Sequence, residues 1–144
     1  VTGMERFGDG TYLISAIIVR GFLDGFSALF RVDSMGKLIE YDTIDISMTI
    51  VEDMTKVQGG DIVIIGSALR GGEFFNFVMR LRSDLSIVWY REYLGDYICS
   101  LAYANIIQDS EGNLAIAGYC DGLDDIAFMK LDPYTGEPLV WSRR

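Results

Sequence analysis

The loop CDGLDDI, residues 120–126, places Asp121, Asp124 and Asp125 within five residues. Hard cations such as calcium take several carboxylate and carbonyl oxygens, so these three are the candidate metal ligands. Their spacing differs from that of an EF-hand loop, and the corresponding stretches elsewhere offer only Asp24 and Glu73. A solvated acidic turn is the plainer expectation. The only cysteines are Cys99 and Cys120. A hairpin turning near Ser110-Glu111 makes them near neighbours on paired strands. They form either a disulfide, as suits an extracytoplasmic protein, or two buried free thiols. The chain has no histidine. That removes the commonest general base, the Ser-His and Cys-His pairs and most catalytic zinc sites. Asp and Glu total 21, so a carboxylate pair for glycoside hydrolysis can always be drawn, yet no motif singles one out. Tyr90, Tyr93 and Tyr97 could stack on sugars, although such residues more often line packed interfaces. Gly8-Asp9-Gly10 and Arg70-Gly71-Gly72 lack the following helix and the Lys-Ser/Thr pattern of a phosphate loop. No catalytic residue is assigned.

These residues sit in a pattern written three times. The block GNLAIAG (112–118) matches GDIVIIG (60–66) and GTYLISA (10–16). Downstream, AFMKLD (127–132) matches FVMRLR (77–82) and ALFRVD (28–33). A third block runs to Trp141, Trp89 and Tyr41 in the three copies. The spacing is about 50 residues, a period of repeat architectures. Each unit reads as four strands of 5–8 residues, rich in Ile, Val, Leu and Phe and too short for helices. Turn signals separate them, among them Gly59-Gly60-Asp61 and Ser34-Met35-Gly36. A β-sandwich also spaces short strands regularly, but a repeated four-strand unit is the period of a propeller blade. The units fall at residues 1–49, 50–98 and 99–144. The expected structural residues are Gly60, Gly66, Gly112, Gly118, Trp89 and Trp141. Arg31, Arg80 and Lys130 recur at one position and are expected to face solvent or pair with charges between blades.

Composition bounds the function. Half of the 144 residues are hydrophobic and 16 are glycine, which suits strands joined by tight turns. The net charge is −9, so neither the basic footprint of a nucleic-acid binder nor attraction to an anionic membrane is expected. No apolar run approaches the ~20 residues of a membrane-spanning helix. The sequence opens on Val1 with no signal peptide, so a processed chain or an excerpt of a longer one is expected.

The blade motifs resemble those of quinoprotein-like, tandem-repeat β-propellers of secreted and cell-surface bacterial and archaeal proteins. Their blade reads as a turn, a GG(Tyr/Phe)φφφG run, then φφφKφD, then GxφxW, where φ is apolar. The third unit matches best, through Gly112, Gly118, Lys130, Asp132, Gly136 and Trp141. The second has Arg82 for Asp and Leu85 for Gly, and the first has Glu40 or Tyr41 near the Trp position. The resemblance implies an extracellular or cell-surface protein and an all-β propeller. The ending LDPYTGEPLVW is also similar to blades that hold pyrroloquinoline quinone, where the Trp packs between neighbouring sheets. A quinone site would need a calcium site and a complete ring besides, so no cofactor is expected.

Closed propellers usually have four to eight blades, so three make an incomplete ring unless extended or oligomerised. The end faces should be apolar, and hiding a patch of ~400 Å² at ~25 cal/mol per Å² is of order 10 kcal/mol before association costs. Further blades of the same or another chain should cover them: a longer propeller, two copies in a six-bladed ring, or a head-to-tail fibre. The expected function is a non-catalytic interaction, scaffold or self-assembling surface module. The competing class is a glycan-binding or glycan-active propeller.

Overall fold

The structure, a computed structural model, describes residues 1–21, 24–44, 49–93, 102–120 and 125–143. Among the described residues there are strands and turns and no helix. The first sheet holds β1 (Gly3–Arg6), β2 (Tyr12–Gly21), β3 (Asp24–Val32) and β4 (Leu38–Thr43). The second holds β5 (Ile50–Lys56), β6 (Ile62–Arg70), β7 (Glu73–Leu81) and β8 (Ile87–Tyr93). The third holds β9 (Ala102–Gln108), β10 (Leu114–Cys120), β11 (Asp125–Leu131) and β12 (Pro138–Arg143). Each sheet is an antiparallel meander in chain order. The fold is therefore all-β, with three four-stranded propeller-like blades.

The repetition extends to local geometry. The β1–β2 turn closes with the Phe7 amide donating to the Thr11 carbonyl, and its counterparts run from Val57 to Asp61 and from Asp109 to Asn113. The third and fourth strands of every blade slip register at one place: between Arg31 and Val32, Arg80 and Leu81, and Lys130 and Leu131. Such a bulge bends the strand and increases its twist.

Aspartates anchor the β3–β4 turns. Asp33 Oδ1 accepts the Met35 and Lys37 amides, and Asp132 Oδ1 accepts those of Tyr134 and Thr135. In the second blade Arg82 replaces the aspartate, and Asp84 takes over by accepting the Ser86 amide and hydroxyl. Leu85 stands where Gly36 and Gly136 stand and shares their positive φ, at 59°. A left-handed leucine costs about 1–2 kcal/mol. Its side chain is buried between the first two blades, which is worth about 1.5–3 kcal/mol. Burial outweighs strain, so a leucine holds a glycine position.

The blades pack face to face. At the first seam Leu13 and Leu29 meet Ile62, Ile64, Phe77 and Met79. At the second, Val63, Ile65 and Val78 meet Leu114, Ile116, Met129 and Leu131. Alternate residues of β6 thus enter opposite seams, and Ile62 through Gly66 are all buried. The third blade differs: along β11, Ala127, Met129 and Leu131 are buried while Ile126 and Phe128 are exposed. One face of that sheet has no neighbour among the described residues.

The first strands lie side by side, with β5 against both β1 and β9. Polar contacts fix their spacing. The Gly8 amide donates to the Gly60 carbonyl at 2.9 Å, and the Gln58 amide to Gln108 Oε1 at 2.7 Å. A Cβ on Gly60 would lie 2.9 Å from Gly8 Cα, so the sequence-singled Gly60 allows close approach of two turns. The buried Ser27 hydroxyl donates to the Thr49 carbonyl and accepts the Val51 amide.

Candidate functional site: the outward faces of the blade array

The recurring cation of the third strand is paired within its own blade. Arg31 meets Asp9 at 3.0 Å, Arg80 meets Asp61 at 2.8 Å, and Lys130 meets Asp109 and Glu111 at 2.8 Å. The acid moves along the five-residue turn, occupying its third position in Asp9 and Glu111, its fifth in Asp61 and its first in Asp109. Among the described residues Arg80 also crosses a seam, donating to the Pro133 carbonyl at 2.9 Å.

Hydrogen bonds and cations in the turns lower several carboxyl pKa values. The amide and hydroxyl of Thr11, with help from Ser83 and Arg31, hold the Asp9 carboxyl down at about 2. Asp109 is lowered chiefly by Lys130, Asp84 by the Ser86 hydroxyl and amide, and Asp132 by the Tyr134 and Thr135 amides. A depressed carboxyl contributes stability above its unfolded value, and that stability is lost as pH falls through the folded value. The thermal midpoint should therefore hold steady above pH about 5 and fall steadily from about 4 towards 2. Asp9→Asn should shallow that decline, as read by calorimetry across the range. An unchanged slope would count against Asp9.

The two tryptophans enter the same seam from opposite sides. Trp89 pairs with Arg80, whereas Trp141 pairs with Met129. Their expected equivalence is therefore displaced by one residue. The turn from Asp132 to Glu137 is one residue longer than those at Asp33–Lys37 and Arg82–Ser86. Trp141 corresponds to Tyr90 and Tyr41, and Trp89 to Val140 and Glu40. Trp89 Nε1 donates to the Pro133 carbonyl at 3.0 Å, so that oxygen accepts from both Arg80 and Trp89. Tyr93 is buried and donates its hydroxyl to the Gly136 carbonyl at 2.7 Å, and burial raises its pKa. Arg91 donates to the Thr135 carbonyl and pairs with Glu137. Sequence reasoning missed Arg91 and Pro133. The extra residue in the 132–137 turn was the signal available. Tyr90 stacks on Phe77 with ring centroids 5.9 Å apart, and Tyr97 lies outside the described residues.

The first seam lacks this clasp. Glu40, Asp42 and Ile44 stand where Trp89, Arg91 and Tyr93 stand, and every residue of β4 is exposed. A cleft of about 210 Å³ opens there, lined by Leu29, Asp42, Ile44, Leu85 and Tyr90. It is smaller than the ~300–1,000 Å³ of ordinary small-molecule pockets.

Two outward sheet faces have no partner among the described residues. On the first blade, Met4 pairs with Ile14, Ile14 with Phe30 and Phe30 with Tyr41, so all four share a face. Met4 is 64% and Tyr41 66% exposed. Ile14 stands at the position of the buried Ile64 and Ile116, and Phe30 at that of Met79 and Met129. On the third blade, Ile107 pairs with Ala115, and Ala117 with Phe128. There Ile107 is 60% and Ile126 58% exposed. Soluble proteins rarely leave such patches bare beyond a few hundred Å².

The other sequence-selected residues are scattered. Among the described residues no group of three or more His, Cys, Asp or Glu side chains gathers to hold a metal. Asp125 lies in β11, half-buried, while Asp121 and Asp124 lie outside the described residues. The suggested disulfide is outside them too: Cys99 is not described, and Cys120 only as the last residue of β10. Gly112 has a positive φ of 88°, and Gly118 sits opposite Ala127. No protein-family model matches the chain, and no curated protein matches it. The likeness to quinoprotein-like propellers rests on the blade motifs alone.

Proposed function

We propose that the chain is a non-catalytic, self-assembling blade module whose two outward sheet faces are its working surfaces, acting at the cell surface or outside the cell. The observation that carries this is the first blade's outward face. It carries apolar residues, Ile14 and Phe30, at the register positions of Ile64, Ile116, Met79 and Met129, which are buried inside the molecule. Covering it with another blade would remove apolar area from water, and Arg6 on the same face stands where Lys56 remains exposed beside the first seam. Sedimentation across the micromolar to millimolar range tests the reading. The expected result is a mass rising above the 16.1 kDa of one chain. A single 16.1 kDa species throughout would overturn it.

A further inference from the structure

We infer that two copies of this chain join head to tail, the third blade of each docking on the first blade of the other, to close a six-bladed ring. This rests on the proposal above and names its partner. The two outward faces are complementary to each other rather than to themselves. Within the molecule each seam sets a forward face, which carries Val63 and Ile65 in the second blade, against a backward face, which carries Met129 and Trp141 in the third. The third blade's exposed surface is a forward face, with Ala115 and Ala117 where Val63 and Ile65 stand. The first blade's exposed surface is a backward face, with Phe30 and Tyr41 where Met129 and Trp141 stand.

Ala115 and Ala117, smaller than Val63 and Ile65, therefore await Phe30 and Tyr41 across the new seam, beside the exposed Ile107, Ile126 and Phe128. Pairing two first-blade faces would set backward against backward, and pairing two third-blade faces forward against forward, a contact that neither described seam makes. Only the mixed pairing repeats the contact already made twice inside the chain. That contact is heterologous, so repeated addition must close or run on as a filament. Two copies of the three described blades make six, within the four to eight of closed propellers. A ring of two copies has two new seams, and with ~400 Å² hidden on each side of each seam the total is about 1,600 Å², the size of a standard specific interface.

Two exposed-surface variants test the arrangement. Met4→Lys/Tyr41→Lys puts charge on the first blade's outward face, and Ile107→Lys/Ile126→Lys on the third's. All four side chains are more than half exposed, and circular dichroism checks that each variant is folded. Wild type should sediment at twice 16.1 kDa and each variant alone at 16.1 kDa. An equimolar mixture of the variants should recover a two-chain species, because one intact pair of faces remains. It should bind at least about tenfold more weakly than wild type, having lost the second, intramolecular seam. A variant that stays dimeric alone would show like-with-like pairing and overturn the inference. A ladder of larger masses from wild type, or a mixture that stays monomeric, would do the same while leaving association through the end faces standing. A wild type that never associates overturns both.

Discussion

Gly66→Ala should lower the thermal midpoint by about 6–12 °C, corresponding to a loss of about 3 kcal/mol. Gly66 pairs with Phe77 in the middle of the second blade. A Cβ there would sit 2.5 Å from Phe77 Cζ and closer still to the Ile50 carbonyl oxygen. The carbonyl belongs to β5 and cannot swing aside, and the Phe77 ring is fully buried. The two neighbouring blades show how this position is otherwise solved: Ala16 faces Ala28, and Gly118 faces Ala127. Combining Gly66→Ala with Phe77→Ala should therefore cost less than the two changes summed, because the ring clash disappears. The Ile50 contact remains, so the double variant should still be less stable than wild type. Urea unfolding of the four proteins measures the coupling, and strict additivity would show that Phe77 is not what excludes a side chain at Gly66.

Arg80→Ala should cost about 2–4 kcal/mol, more than the same change at Arg31. Arg80 is 8% exposed and joins two blades. Its guanidinium meets Asp61, donates to the Pro133 carbonyl and lies over the Tyr134 ring at 5.6 Å. Alanine would leave Asp61 without its cation and Pro133 with only the Trp89 indole. Arg31 is more exposed, and its hydrogen bonds are to Asp9 and Thr11 of its own blade. Arg80→Lys separates the two contributions. A lysine can hold Asp61, as Lys130 holds Asp109, but has no planar fork to reach Pro133 as well. It should recover about half of the loss. Equal effects at Arg31 and Arg80 would remove the seam-crossing bond from the account.

The three four-stranded sheets of the described residues were legible because GDIVIIG, FVMRLR and their copies are strand-length apolar runs between turn residues. The cation of FVMRLR was legible as a recurring position. Its partners were not, because the acid sits at different points of the turn and only the folded chain brings it back to the same guanidinium or ammonium. The tryptophans misled for a related reason. The longer turn after Leu131 shifts β12 by one residue, and in a strand that sends a side chain to the other face. Leu85 could not be anticipated as a left-handed residue, since its warrant is a hydrophobic contact with the preceding blade. The apolar ends were expected from blade arithmetic, and the residues that form them became visible only through register.

The migrating carboxylate has a consequence for comparing such units. What each blade keeps is an electrostatic joint, one cation reaching back to one turn, and not a particular letter at a particular place. Asp61 would score as a mismatch against Asp9 and Glu111 in a column-by-column comparison, yet it performs the same task. Kinship among blades of this kind is better judged from which charges meet than from which letters line up.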